Sequence, residues 1–300
     1  MTEITKWVPL LGYILFFVGV VILVLKRCAA GAGKFPLQDD VILMRRAGET
    51  LDQRHRKLMD GLLGTVAVAL AVPLLVPILP LVAIRWSQGW WVIGLLVAAG
   101  CLFVAALIWG MGRINSLAVE TRNVRLGLFG ERAVADQLEE LRSAGYRIFH
   151  DVPCLGGGGP FNLDHVVVGK GGVAVVETKT RRKAKRGDAK ANCRVEYDGR
   201  QLLWPWGRST DELEQVTRNA EWLQKYLKKE LMVEVVPMQV LAIPGWFVAN
   251  TTPGPVRVMN QKQLGKNIND LKGSMTGPQE QLVAKLLTRM CSDVKYEMVA

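Results

Sequence analysis

The sequence predicts two physically different parts: an α-helical membrane anchor of three spans, then an α/β domain whose mixed central sheet is flanked by helices. Two observations carry this. Three uncharged apolar stretches lie in residues 1–112, whereas residues 113–300 alternate helical and strand patterns between turn signals. The charge divides at the same place, with 10 Lys+Arg against 6 Asp+Glu in residues 1–112 and 28 against 21 beyond them. Half of the 300 residues are apolar, which excludes a disordered chain. Five cysteines without a CxxC or metal-ligand spacing exclude a disulfide scaffold.

The expected spans are 7–25, 61–84 and 89–112, each uncharged and each followed by a basic residue. A bilayer crossing needs about 20 apolar residues, so all three are long enough. A cleaved signal peptide is the other reading of 7–25, with Ala29-Ala30-Gly31 as its only cleavage candidate. The loop 26–60 holds eight basic residues, against Lys6 before the first span and Arg85 between the second and third. The positive-inside rule then places the N-terminus outside, 26–60 inside, and everything after 113 inside, with Trp7, Trp86, Trp90 and Trp91 at the outer interface. No ionisable residue sits mid-span, so the spans read as an anchor, not a transport path. The expected division is anchor 1–112, linker 113–125 and folded domain 126–300, cytoplasmic at the cell membrane.

The domain's elements follow in order. A helix runs from about 126 to 143 and stops at Gly145, and a strand covers 146–153. A glycine-rich loop, 154–160, has no GK[ST] after it and is no phosphate loop. Strands 161–168 and 173–180 flank Gly169-Lys170-Gly171-Gly172. A hairpin spans 194–204 with its turn at Asp198-Gly199. A helix covers 211–228, strands cover 232–243 and 256–259, and a last helix covers 278–292 with Pro278 in its first turn.

The informative residues lie on the second and third strands. Period-two alternation puts Glu177 and Lys179 on one face with Val173 and Val175, and Asp164 on a face with Val166 and Val168. A two-residue or a four-residue turn at 169–172 pairs Val168 with Val173, and counting outward sets Asp164 opposite Glu177. Opposed Cβ atoms lie about 4.5–5.5 Å apart, so two carboxylates there repel. A divalent cation such as Mg²⁺, commonly held by one or two carboxylates, cancels that repulsion. Lys179 adds a cation two residues on. Metal, cation and activated water together are what phosphodiester hydrolysis requires. Glu131 falls on the core-facing arc of its helix beside Val134, Leu138 and Leu141, or reaches solvent at the arc's edge. The basic run Arg181, Arg182, Lys183, Lys185 and Arg186 reads equally as a nucleic-acid backbone contact, a solvated loop or a patch on anionic lipid. His165 points to the opposite face from Asp164 and reads as a core or surface histidine. The Trp204-Pro205-Trp206 cluster reads as packing under a loop, with base stacking as the alternative.

Asp164, twelve intervening residues, then Glu177-Thr178-Lys179 resembles the signature of the PD-(D/E)XK nuclease superfamily. Three blocks are more specific: Gly127-Leu128-Phe129-Gly130-Glu131, then Asn162-Leu163-Asp164-His165-Val166-Val167-Val168-Gly169, then Gly172-Val173-Ala174-Val175-Val176-Glu177-Thr178-Lys179. In order and spacing they resemble the nuclease-related domain (NERD) family over about 126–243. The resemblance implies a restriction-endonuclease-like core and Mg²⁺- or Mn²⁺-dependent cleavage of DNA. It implies Asp164, Glu177 and the Thr178 carbonyl as metal ligands, Lys179 as the catalytic lysine and Glu131 as the helix acid. Gln215 matches the family's later helical glutamine, although Ser209 to Glu212 replace the usual Asn-Pro before it. The rival reading keeps the same fold as a non-catalytic module that binds nucleic acid, protein or anionic lipid at the membrane.

Overall fold

A computed structural model describes residues 43–75, 90–156, 158–183, 193–269, 271 and 273–294. The chain divides into two compact units, Met1–Met44 with Ser292–Ala300, and Arg45–Cys291. In the first, the short strands β1 (Leu43–Met44) and β11 (Ser292–Val294) pair antiparallel.

The second unit begins with two long helices, α1 (Glu49–Leu75) and α2 (Trp91–Glu139). They pack closely: a Cβ on Gly110 would meet the Ala69 side chain at 3.1 Å, and one on Gly127 would meet Leu51 at 3.2 Å. A five-stranded sheet follows, in the order β10-β8-β4-β3-β2. It comprises β2 (Arg147–Gly156), β3 (Gly159–Gly169), β4 (Gly172–Thr178), β8 (Met238–Ala242) and β10 (Arg257–Met259). The first three form an antiparallel meander, and β8 and β10 add in parallel. A four-stranded sheet, β7-β6-β5-β9, is built from β5 (Arg194–Tyr197), β6 (Leu202–Trp204), β7 (Gly207–Ser209) and β9 (Phe247–Asn250). Helices α3 (Asp211–Leu231), α4 (Leu264–Ile268) and α5 (Gly277–Cys291) complete the unit.

Alternation along β3 and β4 sorts the core. Val166, Val168, Val173 and Val175 face α3 and α5, packing on Ala220, Leu223, Val283 and Leu287. Val167, Ala174 and Val176 face the other way, onto Val134 and Leu138 of α2. Each of these valine and leucine side chains contributes about 1.5–3 kcal/mol on burial. The turn between β3 and β4 has Lys170 at φ 50° and Gly171 at φ 75°, both left-handed, which makes it the two-residue hairpin turn. It pairs Val168 with Val173 and Val166 with Val175, the expected register.

The anchor and its junction differ from expectation. Among the described residues one helix, not three, is long and apolar enough to cross a membrane. The expected span 7–25 and residues 76–84 of the second lie outside the described residues, as does the turn 85–88. Residues 113–125, expected as a linker, are helical: the third apolar stretch and the helix at 126 are one 49-residue helix. No Gly-Pro or turn cluster interrupts 113–125, and its apolar residues continue helical spacing, with Leu117 and Val124 buried. The compact unit that contains both sheets runs from Arg45 to Cys291. The expected loop 154–160 is also corrected, because β2 and β3 continue through it to a hairpin in which Gly156 pairs with Gly159.

Candidate active site

The β3–β4 ladder ends at His165 opposite Val176. One step on, Asp164 uses its side chain in place of the ladder, and its Oδ2 accepts the Thr178 backbone N–H at 2.7 Å. Strand β4 meanwhile stays pinned to β8 on its other edge, Glu177 opposite Leu241 and Thr178 opposite Ala242. Glu177 lies on the α3 side of the sheet, and α3 supplies its partners. Asn219 donates to Glu177 Oε2 at 2.9 Å, and Gln215 Nε2 donates to Oε1 at 2.6 Å. The same Gln215 accepts from Lys179 Nζ at 2.8 Å. One amide therefore ties the acid and the lysine into a single unit, with its donor on the carboxylate and its acceptor on the ammonium.

Two more acids join. Glu131 is buried one turn before Val134 on α2. Asp151 of β2 is buried at φ 48°, where the β2–β3 ladder skips a pair between His150–His165 and Val152–Leu163. Its Oδ2 accepts from Arg45 at 2.9 Å and from the backbone N–H and hydroxyl of Thr50, and its Oδ1 accepts from Asn162. Thr50 lies in the first turn of α1, so the positive end of that helix also faces this carboxylate.

Crowding of buried acids raises their proton affinity. Burial, then the charges of Asp164, Asp151 and Glu177, push Glu131 up to about 9. Burial pushes Asp164 up to about 6, partly offset by the Thr178 N–H and by Lys179. Glu177 is raised well above the ordinary carboxylate range by burial and by Asp164, despite Lys179, Asn219 and Gln215.

Behind Thr178 runs a buried chain. His165 Nε2 meets Thr178 Oγ1 at 3.2 Å, the two Nδ1 atoms of His165 and His150 meet at 2.8 Å, and His150 Nε2 meets Glu139 Oε1 at 2.8 Å. Burial lowers the proton affinity of both histidines. With both neutral, one proton assignment satisfies every contact: Thr178 donates to His165, His165 to His150, and His150 to Glu139. His165 is thus the core histidine the sequence suggested, and the chain fixes Thr178.

The other sequence candidates are placed unevenly. Arg181 pairs with buried Glu212 at 2.7 Å, Arg182 donates to Asn123 at 3.0 Å, and Lys183 is exposed. Lys185 and Arg186 lie outside the described residues. Trp204 is buried beneath Trp246 and stacks on the half-exposed Trp206, with ring centroids 5.4 Å apart in the stack. Packing therefore accounts for Trp204, and Trp246 holds the Arg181 carbonyl at 3.1 Å. Asp151 and Asn219 were missed as site residues. Asn219 had a signal, since it shares the polar face of its helix with Gln215. Asp151 had little, since two of its three partner residues, Arg45 and Thr50, lie about a hundred residues earlier in the chain, and only Asn162 is near.

The donor set is all oxygen, the chemistry suited to Mg²⁺ or Mn²⁺. Among the described residues no three His, Cys, Asp or Glu side chains converge into a metal cluster. Two carboxylates and a backbone carbonyl are enough for Mg²⁺, which keeps most of its waters. Asp164 adds to the raised proton affinity of buried Glu177, a charge crowding that a cation would relieve, so Asp164, Glu177 and the Thr178 carbonyl are the oxygens that could hold such an ion.

The nuclease-related domain (NERD) family profile matches residues 126–242. The match contains Glu131, Asp151, Asp164, Glu177, Lys179, Gln215 and Asn219 and ends with β8. Helix α1, with Thr50, and the start of α2 lie before it. No curated protein and no solved structure matches the chain.

Proposed function

We propose that this chain is a membrane-anchored, divalent-metal-dependent nuclease that hydrolyses phosphodiester bonds of DNA. The observation that carries the reading is Gln215, which joins Glu177 to Lys179 in a domain that matches nuclease-related proteins. Asp164, Glu177 and the Thr178 carbonyl would hold Mg²⁺ or Mn²⁺. A bound ion supplies an activated water and neutralises charge developing at phosphorus. The protein's own residues do the rest. Asn219 and Gln215 orient Glu177, the Thr178 N–H orients Asp164, and the histidine chain holds Thr178. Lys179, fixed by Gln215, offers an ammonium to the phosphate oxygens without reorganising at the moment of reaction. Glu131 borders the acids, and with its carboxyl pushed up to about 9 it carries a proton beside them at neutral pH.

The deciding experiment is plasmid degradation by the full chain in detergent. The expected result is cleavage that needs Mg²⁺ or Mn²⁺, stops with chelator, and is abolished by Asp164→Asn. Cleavage that ignores chelator, or survives Asp164→Asn, overturns the assignment. Intact plasmid under all conditions, with binding retained, leaves the non-catalytic module.

The topology belongs to the same proposal: N-terminus outside, residues 113–300 on the cytoplasmic face. It is supported by the eight basic residues of 26–60, whose last twelve residues open helix α1, and by the outward-facing apolar surface of α2, where Ile93, Leu102, Ile108 and Met111 are exposed. A reporter fused after Ala300 is expected to be active only in the cytoplasm, and activity on the outer side contradicts this topology.

A further inference from the structure

A second site lies along helix α2. Arg122, Arg125, Phe129 and Arg132 recur at steps of three and four and so share one helix face. With His55 of α1 and Arg182 beyond β4 they line a cavity of about 730 Å³. Asp52, the one acid in its lining among the described residues, is already paired with Arg132 and with Arg56, each at 3.1 Å. Arg122 and Arg125 are exposed, and among the described residues neither forms an ion pair with a carboxylate. Phe129 is 74 % exposed in the middle of these arginines.

An exposed aromatic ring costs solvation unless something stacks on it, and a cleft of guanidinium groups concentrates anions. Phosphates at short intervals with a flat base between them satisfy both. Single strands offer that base, whereas a duplex keeps its bases stacked inside. Lipid headgroups fit less well. The outward-facing apolar run of α2 ends near Met111. Arg122 and Arg125 follow about 16 and 21 Å further along the axis, beyond the Debye length of roughly 8–10 Å over which a charged membrane surface acts.

The groove also connects to the carboxylates. Arg182 is three residues beyond Lys179, at most about 10 Å of chain. Thr180, between them, packs directly on Gly130, the neighbour of both Phe129 and Glu131.

We propose that this groove binds a single-stranded nucleic-acid segment, its phosphates on Arg122, Arg125, Arg132 and Arg182 and one base stacked on Phe129. Its role in delivering that strand to Asp164 and Glu177 rests on the nuclease reading, but the binding itself does not. His55, Arg122 and Arg125 lie outside residues 126–242, so the groove adds to the matched domain.

The test measures binding of a fluorescent oligothymidylate of roughly 16 nucleotides, and of a duplex of equal length, to the full chain in detergent with chelator present. Arg122→Gln combined with Arg125→Gln is expected to weaken oligothymidylate binding and to flatten its log–log salt slope by about 1.4, or 0.7 for each lost phosphate contact. Phe129→Ala is expected to weaken it by about 5- to 100-fold with the salt slope kept, leaving the duplex unaffected. All three positions are exposed, and matching melting curves verify folding. An unchanged slope in the double variant overturns the groove. So does a loss confined to anionic vesicles, which would make it a lipid contact. Groove-dependent binding without any Mg²⁺-dependent cleavage keeps the groove and ends the nuclease reading. Cleavage with unaltered binding in the groove variants does the reverse.

Discussion

Lys179→Ala is expected to reduce Mg²⁺-dependent cleavage by about 10²–10³-fold, the cost of removing one preorganised group that stabilises developing charge. Its effect on Mg²⁺ affinity should be small, because Asp164, Glu177 and the Thr178 carbonyl remain. Gln215→Ala should behave differently. Gln215 holds both Glu177 and Lys179, so its loss frees a ligand and the lysine together. Groups that orient metal ligands typically cost 10–100-fold in affinity or activity. Gln215→Ala should therefore lose metal affinity and cleavage together, whereas Lys179→Ala loses cleavage alone. Calorimetric Mn²⁺ titration beside a cleavage assay separates them. Equal losses of metal affinity in both variants would make Lys179 a structural partner of Glu177 and remove its catalytic role.

Without metal, the protein is expected to be less stable at pH 9 than at pH 6, and saturating Mg²⁺ should erase most of the difference. Glu131, Asp164 and Glu177 all bind protons more tightly folded than unfolded. Their stabilising contribution is complete below the ordinary values of 3.8 to 4.5, and it is lost as pH rises through about 6 for Asp164 and about 9 for Glu131. A loss of about 2 kcal/mol, less than one fully expressed two-unit shift, lowers the melting temperature by about 4–8 °C for a unit of this size. Asp164→Asn should flatten the profile and raise the metal-free melting temperature at pH 9, since an asparagine oxygen can still accept the Thr178 N–H and carries no charge. Melts across pH with chelator, then with Mg²⁺, check both. A profile that rises from pH 6 to pH 9, or a marked loss of stability in Asp164→Asn, would show that the acids are net stabilising as anions.

Much of the site was legible because it is local. Asp164, Glu177 and Lys179 lie on one hairpin, and a tight turn at Lys170-Gly171 dictates register by counting alone. Glu131 was legible from the helical arc, and Gln215 from its resemblance to the family. The strands β7 and β9 and the helix α4 were not, because segments of three to five residues carry too little periodicity to stand out from loop.

By itself, then, the sequence determined the β3–β4 hairpin, its register as far as His165 opposite Val176, and the amphipathic α3 that supplies the partners of Glu177, all consequences of short-range steric and periodic rules. Tertiary structure alone decided the rest. Residues 91–139 became one helix, because uninterrupted helical spacing with core contacts outweighs a change in composition at 113. Asp151 entered the site only because Arg45 and the first turn of α1 arrive from about a hundred residues away to bind it. Such a contact is selected by packing of the whole unit and leaves no mark in the spacing of neighbouring residues.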